Sequence, residues 1–161
     1  MLLAVISDTH MPRSGRALPA ECVRRLRAAD LILHAGDLCT AEVLIELEAY
    51  GPVVAVRGNM DERALWERLP ESRVVEAGGA RIAIVHDAGP ATGRIERLRA
   101  RFPDADAVVF GHSHLPLHER ADRFQIFNPG SPTERRRAAR HTMGIARVTA
   151  SRVEFELVEL D

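Results

Sequence analysis

The chain of 161 residues contains no lysine, only two cysteines, and only five Phe, one Trp and one Tyr. Without lysine, Schiff-base and lysine-nucleophile chemistry are excluded. Cys22 and Cys39 form no CxxC pair, which argues against a disulfide scaffold and favours a reducing compartment. No apolar run approaches the ~20 residues of a membrane span, and the apolar start at 1–6 is too short for a signal peptide. We therefore expect a soluble, cytoplasmic protein.

Neither charge is in excess, since 22 basic residues face 23 acidic ones and the formal net charge is -1. A nucleic-acid or membrane-surface protein usually carries a basic excess, so the balance argues against both. Arg135, Arg136, Arg137 and Arg140 form a local basic cluster, but no aromatic residue interleaves with it. We interpret the cluster as a solvated loop, with binding of substrate phosphate as the second interpretation. The length and the 46% hydrophobic share fit a single domain, residues 1–161.

Apolar runs and helical spacing alternate along the first half of the chain. There we predict strands at 2–6, 31–34 and 52–56, and helices at 19–29, 40–48 (with Thr40 as N-cap) and 64–69. The second half is mostly strand: 73–76 and 81–86 as a hairpin, then 107–110, 117–119, 123–127, 142–149 and 152–159, with one helix at 93–101 after Thr92. This order predicts an α/β fold of two packed, mixed β-sheets with helices on their outer faces, an α-β-β-α sandwich.

Histidine, by contrast, is plentiful, with seven residues. Polar side chains follow the carboxyl ends of five predicted strands: Asp8, His10, Asp37, Asn59, His86, His112 and His114. Ligands bind at that edge of open α/β sheets, so we predict a site there. Glycines before Asp37, Asn59 and His112 would allow tight turns and close backbone approach. The D-x-H and H-x-H spacings would direct both side chains of a pair to one side of an extended segment.

The donor types in this set indicate a metal centre. Carboxylate, amide and imidazole without thiolate suit first-row divalent metals better than Ca²⁺ or Mg²⁺. Seven donors exceed the needs of one tetrahedral Zn²⁺ and suit two ions that keep open positions for water. We expect two divalent ions, Mn²⁺ first, with Ni, Fe, Zn or Co as the alternatives.

The blocks Asp8-x-His10, Gly36-Asp37, Gly58-Asn59, His86 and Gly111-His112-x-His114 stand in one order, followed by Asn128-Pro129-Gly130-Ser131. In these blocks the sequence resembles the calcineurin-like metallophosphoesterase superfamily, especially its small single-domain bacterial and archaeal phosphodiesterases. The resemblance covers about residues 2–131. It implies that Asp8, His10 and His114 bind one ion. It likewise implies that Asn59, His86 and His112 bind a second ion, with Asp37 bridging the two.

The same resemblance implies hydrolysis of a phosphodiester or small phosphomonoester by a hydroxide that bridges the ions. Asp37, Asn59 and His112 would then be the catalytic positions, with Asn59 stabilising the equatorial oxygens. Many larger members carry a histidine after the asparagine that protonates the leaving group, whereas this chain has Met60 there. Activated or diester substrates would therefore be favoured. Asp87, which follows His86, is left outside the ligand set.

Two other functions stay open. A subunit of the retromer coat resembles these small proteins and works mainly through its surfaces, so a non-catalytic interaction scaffold is the first alternative. All seven donor positions here retain residues able to bind metal, which favours the enzyme. A nucleic-acid-binding protein that uses the arginine cluster is the second alternative. A homo-oligomer is compatible with the sequence.

Several neighbouring residues receive ordinary structural interpretations. We expect His34 to hydrogen-bond nearby backbone and Cys39 to be a small buried side chain. Arg57 is interpreted as a salt-bridged surface residue, and Trp66 as core or an oligomer contact. Asp61 would either orient a ligand histidine or lie in a solvated turn.

Overall fold

The computed structural model describes residues 1–161, which form ten strands and four α-helices. The strands are β1 Leu2–Ile6, β2 Leu31–His34, β3 Val53–Ala55, β4 Ser72–Ala77, β5 Ala80–Val85, β6 Ala107–Val109, β7 Leu117–Ala121, β8 Phe124–Asn128, β9 Thr142–Thr149 and β10 Arg152–Glu159. The helices are α1 Ala20–Ala28, α2 Ala41–Glu48, α3 Arg63–Arg68 and α4 Arg94–Arg101, with a short 3₁₀ turn at Arg13–Gly15. Every predicted strand and helix is present, with boundaries that differ by a few residues.

The strands form two five-stranded sheets of mixed direction. The first sheet has the order β10-β9-β1-β2-β3, and the second has the order β4-β5-β6-β8-β7. Strands β1, β2 and β3 pair in parallel because a helix returns the chain between them. Strands β9 and β10 pair antiparallel, as do β4 with β5 and β7 with β8. The predicted architecture of two mixed sheets is confirmed.

The apolar layers explain why β1 reads as a continuous hydrophobic run. Leu3 and Val5 lie in the layer between the two sheets. Ala4 and Ile6 point to the opposite face, where α1, α2 and α3 pack. Both faces of the strand are therefore buried, as is typical of parallel strands. Leu98 of α4 packs on the outer face of the second sheet, which completes the helix–sheet–sheet–helix order.

Two predicted helix caps differ in the structure. Thr40 occupies the N-cap position of α2, but its side chain makes no capping bond; instead Glu62 Oε1 accepts from the Ala41 N–H at 2.8 Å. Helix α4 begins one residue later than the Thr92 cap predicted, because Gly93 takes the N-cap position in a left-handed conformation. None of the four helices has the length and hydropathy needed to cross a bilayer.

Candidate metal centre

The carboxyl ends of β1, β2, β3, β5 and β6 meet at one edge of the two sheets. The loops that leave these ends bring together all seven donors predicted from the sequence: Asp8, His10, Asp37, Asn59, His86, His112 and His114. Five of the donors are buried, and only Asn59 and His112 are exposed. The strand-end pattern thus located a real cluster of polar side chains.

The backbone that carries these donors is bent rather than extended. Asp8, His10, Asp37, His112 and His114 all have φ between 44° and 70°, the left-handed region. Residues other than glycine rarely adopt it, and such outliers concentrate at functional sites. The expectation that extended segments align the D-x-H and H-x-H pairs is therefore wrong. The side chains meet because the loops turn sharply at these five donors.

The glycines before three of the donors lie where no side chain fits. A Cβ on Gly36 would lie 2.7 Å from His86 Nδ1. A Cβ on Gly58 would collide with Asp37 Oδ1, and one on Gly111 would collide with Ser7 Oγ. The predicted close approach of backbone at these glycines is present, and it lets neighbouring loops pack directly on the donors.

The first group of donors is fully buried and contains Asp8, His10 and His114. His114 Nε2 lies 3.5 Å from Asp8 Oδ1 and 3.2 Å from His10 Nε2. His10 Nε2 lies 3.9 Å from the same Asp8 oxygen. Donors that surround one ion at about 2.0–2.2 Å are roughly 3–3.5 Å apart. The three side chains therefore have nearly the spacing that a single divalent cation requires.

The second group contains Asn59, His86 and His112 and opens to solvent. Asn59 Oδ1 lies 3.1 Å from His86 Nε2 and 3.2 Å from His112 Nδ1. The rings of His86 and His112 meet edge to face, with centroids 5.2 Å apart. One amide oxygen and two ring nitrogens converge here, which again fits the donor set of a first-row metal.

Asp37 lies between the two groups. Its Oδ2 is 3.5 Å from His10 Nε2 on one side and 3.3 Å from His86 Nε2 on the other. Asp8 also approaches both sides, since it forms one set of close donor atoms with His10 and His114 and another with Asp37 and His86. Asp8 thus lies near both groups, but Asp37 is the carboxylate with one oxygen within 3.5 Å of a ring nitrogen of each group.

Contacts behind the imidazoles fix which ring nitrogen faces the centre. His86 Nδ1 donates to the Ala35 carbonyl oxygen at 2.7 Å, and His114 Nδ1 donates to the Glu134 carbonyl oxygen. Both rings therefore hold a proton on Nδ1, and Nε2 is the nitrogen that faces the centre and would bind a cation.

The pKa values show how the polar cluster shares protons. Burial raises the pKa of Asp8 to about 7 and lowers that of His10 to about 4. Burial also opposes a charge on His86, but the hydrogen bond and charge of Asp37 outweigh it and raise the pKa of His86 to about 9. Without a metal, the cluster thus retains protons at neutral pH, and these protons offset the charge of the carboxylates. A bound divalent cation would replace the protons in that role. These residues fit a metal centre on the chemistry of their donors.

Asp61 has a role that the sequence did not identify. Its carboxylate accepts hydrogen bonds from the backbone N–H groups of Asp37, Cys39 and Gly58, at 3.3, 2.8 and 2.7 Å. It is buried and contacts no ligand histidine, so neither expected role is correct. Asp61 instead joins the loop after β2 to the loop after β3, which sets the position of Asp37 relative to Asn59.

Ser131 performs a similar task for the loop after β1. Its hydroxyl donates to the Asp8 carbonyl oxygen at 2.8 Å and accepts from the N–H groups of Thr133 and Glu134. Asn128 Nδ2 donates to the Gly111 carbonyl oxygen at 3.0 Å and so holds the loop after β6. The block from Asn128 to Ser131, noted in the sequence without a role, therefore braces two donor loops.

His34, Cys39 and Asp87 match their structural interpretations. His34 is fully buried, and its Nδ1 accepts from the Gly36 N–H at 3.1 Å while Nε2 lies 3.1 Å from Thr9 Oγ1. Cys39 is buried, with its Sγ 3.5 Å from His10 Nδ1. Asp87 is exposed, and its side chain accepts from the Gly89 N–H at 2.8 Å.

The interpretation of Arg57 as a salt-bridged residue and that of Trp66 as a core residue are wrong, while an oligomer contact at Trp66 stays a prediction. Arg57 has no carboxylate partner; its guanidinium lies over the Trp66 ring, 4.5 Å from the centroid. Trp66 is 47% exposed, so it is not a core residue. Both side chains line a cavity beside Asn59 and His112.

The arginine cluster lies at the surface. Arg135 donates to the Ala138 carbonyl oxygen at 3.0 Å, and Arg140 lies 4.0 Å from Glu159. Arg135, Arg136, Arg137 and Arg140 are all exposed, as expected for a solvated loop.

Comparisons with a protein family, with a curated relative and with solved structures all point to phosphoesterases or to proteins of the same fold. The sequence pattern of the calcineurin-like phosphoesterase superfamily domain matches residues 1–151. A probable metallophosphoesterase of Methanothermobacter thermautotrophicus is 35% identical over 160 residues, which are 98% of this chain and 92% of that protein. Among solved structures, Zn²⁺-complexed Vps29 from Entamoeba histolytica has a TM-score of 0.78 at 23% identity, covering 100% of both chains. An archaeal phosphodiesterase has a TM-score of 0.73 at 19% identity, covering 98% of this chain and 100% of its own.

Proposed function

The chain belongs to the calcineurin-like phosphoesterase superfamily, and from this membership we propose that it is a phosphodiesterase dependent on two divalent metal ions. The observation that carries the proposal is the position of Asp37. A single carboxylate oxygen lies within 3.5 Å of a ring nitrogen from each of the two donor groups. A carboxylate so placed is suited to a pair of ions rather than to one.

We assign the donors as follows. Asp8, His10 and His114 would hold the first ion, Asn59, His86 and His112 would hold the second, and Asp37 would be available to both. Because the donors are nitrogen and oxygen without thiolate, Mn²⁺ is the proposed metal, with Ni, Fe, Zn or Co as competitors. The oriented Nε2 atoms of His86 and His114 support this assignment.

The chain's own residues would position the substrate and the nucleophile. Two bound ions would supply a water of lowered pKa as nucleophile and positive charge for the phosphoryl oxygens. Asn59 directs Oδ1 toward His86 and His112, which leaves its amide N–H groups to donate to a phosphoryl oxygen. His112 is exposed, so it lies where an entering phosphate would contact the centre.

The residue after Asn59 bears on the choice of substrate. Met60 donates its backbone N–H to Asp37 Oδ1 at 2.7 Å, which helps to hold the carboxylate. Its thioether has no proton to give to a leaving group. Substrates whose leaving group departs without protonation are therefore favoured, and we propose a small phosphodiester over a phosphomonoester.

The test is hydrolysis of bis(p-nitrophenyl) phosphate and of p-nitrophenyl phosphate by the protein reconstituted with Mn²⁺. The diester should be the better substrate. Asp37→Ala and His112→Ala should each lower kcat/KM by more than about 100-fold, because loss of a ligand should exceed the 10–100-fold cost of losing a supporting contact.

His141→Ala is the matched control, since His141 pairs with Asp161 and lies outside the donor set. This variant should keep the wild-type rate. If Asp37→Ala retained full activity, the assigned centre would be wrong.

The scaffold remains the second candidate because the likeness to Vps29 extends over the whole chain. That Vps29 is itself complexed with Zn²⁺, so metal binding does not separate the two functions. Turnover does: a protein that binds two ions and hydrolyses no phosphoester in a broad panel would favour the scaffold.

A further inference from the structure

A cavity of about 300 Å³ opens beside the exposed half of the metal centre. Asn59, His86 and His112 line it, so the cavity is continuous with the place where a phosphate would lie. Its volume is at the lower end of the range for small-molecule pockets. A group that occupies the cavity would be joined to the reacting phosphate by only a few covalent bonds.

Arg57 and Trp66 form a stacked pair in the wall of this cavity. The guanidinium carbon lies 4.5 Å from the centroid of the indole ring. Arg57 Nη1 donates to the Leu69 carbonyl oxygen at 3.2 Å, and no carboxylate pairs with the side chain. The guanidinium is thus fixed by a ring and a backbone group, and its other N–H donors remain available. Trp66, the chain's one tryptophan, is 47% exposed here.

The charges around the cavity argue against a second phosphate as its occupant. Glu71 and Asp87 also line the wall and would repel an additional anion. Glu71 is partly neutralised by Arg101 at 3.3 Å. A neutral planar group that carries N–H donors matches this wall better, because it can stack on a ring or a guanidinium and donate to a carboxylate.

We propose that the cavity binds the nucleobase of a nucleoside phosphodiester whose phosphate lies at the metal centre. Bases in protein complexes stack on aromatic side chains and on arginine guanidinium planes, which is the pair present here. Arg57 and Trp66 are then the specificity-determining residues of the reaction. The inference rests on the proposed function for the position of the phosphate.

The kinetic test compares two diesters with the same leaving group, thymidine 5′-(p-nitrophenyl phosphate) and methyl p-nitrophenyl phosphate, with the Mn²⁺-loaded protein. The wild type should prefer the nucleoside ester by at least about tenfold in kcat/KM. Trp66→Ala and Arg57→Ala should each reduce that ratio toward one. Arg63→Ala is the matched control. Arg63 lies on helix α3 with Trp66, pairs with Glu67 and does not line the cavity, so this variant should keep the wild-type preference for the nucleoside ester.

Arg57→Lys separates stacking from charge. It retains the positive charge without the planar guanidinium, so the nucleoside preference should fall as it does in Arg57→Ala. Full preference in Arg57→Lys would mean that Arg57 acts on the phosphate, and would overturn the base-binding role. A wild-type ratio of one, with both esters hydrolysed and Asp37→Ala inactive, would overturn the nucleobase inference and leave the proposed function intact.

A binding test covers the case in which neither ester is hydrolysed and the proposed function fails. Because Trp66 is the only tryptophan, its fluorescence reports on the cavity directly. Adenosine should change this fluorescence saturably, whereas ribose at the same concentrations should not. The midpoint should rise about tenfold in Arg57→Ala. No response to adenosine, or the same midpoint in Arg57→Ala, would refute the nucleobase site.

Discussion

The two donor groups of the proposed metal centre, its inner and outer halves, are built from similar donors but differ in exposure. Asp8 and His114 have no exposed surface and His10 has 1%, whereas Asn59 and His112 are open to the cavity. Buried polar atoms lose their water, so the inner half depends on a cation or a proton for its stability. The outer half keeps solvent and can exchange it for a substrate. We therefore propose that the inner half anchors a metal ion and that the outer half contacts the phosphate.

The largest expected effect comes from removing the residue that the halves share. Asp37→Asn keeps the size of the side chain and removes the charge that faces His10 and His86. We expect the Mn²⁺ content to fall from two ions to at most one per chain, and kcat/KM to fall more than about 100-fold. Metal analysis of the dialysed protein checks this. Two retained ions would show that the halves do not depend on a shared ligand.

The next prediction compares one histidine from each half. His114→Ala should remove the anchored ion and abolish the rise in Tm that Mn²⁺ gives. That rise reflects an added unfolding free energy of about 2.7 kcal/mol when the metal is at 100 times its Kd. His112→Ala should lose activity while retaining most of that rise. Thermal unfolding with Mn²⁺ and with chelator measures both. Equal losses of metal-dependent stability in the two variants would refute the difference between halves.

Asp61 offers a smaller test, because it joins the loop of one half to the loop of the other. Asp61→Asn keeps one acceptor oxygen. It therefore loses either the bonds from the Asp37 and Gly58 N–H groups, which share Oδ2, or the bond from the Cys39 N–H. We expect a 10–100-fold weaker second Mn²⁺ site, as is typical for supporting contacts. Titration calorimetry would detect it. Unchanged affinity for both ions would mean that the loops hold their positions without this carboxylate.

The smallest effect concerns pH and His34, which lies behind both halves. Burial lowers the pKa of His34 from 6.5 to about 3. Between those values the unfolded chain binds a proton that the folded chain excludes, so stability is lost as pH falls below 6.5, by up to about 1.4 kcal/mol per pH unit. His34→Asn can still accept the Gly36 N–H and does not titrate, so its stability should fall less steeply.

Urea unfolding of both proteins in chelator, from pH 7 to pH 4.5, measures this difference. Asp8 and the other carboxyl groups titrate in both proteins and cancel in the comparison. Parallel stability curves would contradict a neutral, buried His34.

The sequence correctly predicted that the seven polar side chains cluster at one edge, and for a physical reason. Parallel strands of one sheet align their carboxyl ends, so Asp8 and Asp37 had to lie at one edge once β1 and β2 were identified. His112 follows β6 of the second sheet, and it joins them because the two sheets pack with these edges together. The choice of donors also follows from the sequence, because Asp, Asn and His are the residues at these strand ends that can bind a metal. Both predictions depend on short-range patterns that a single chain displays directly.

The remaining features depend on distances between loops, which a linear pattern does not contain. Asp61 binds three N–H groups from two loops, and nothing local distinguishes it from a solvated acid. Arg57 and Trp66 are nine positions apart, beyond the spacing at which helical or strand periodicity pairs residues. The left-handed backbone at His10 and His114 is likewise imposed by packing, against the preference of the residue.

The most direct test of the central claim, that Asp37 joins two metal sites, is electron paramagnetic resonance of the protein with two equivalents of Mn²⁺. Two ions that share a ligand are magnetically coupled, so we predict an exchange-coupled multiline spectrum that is lost in Asp37→Asn. A spectrum of two independent Mn²⁺ ions in the wild type, or of a single bound ion at saturation, would contradict the account.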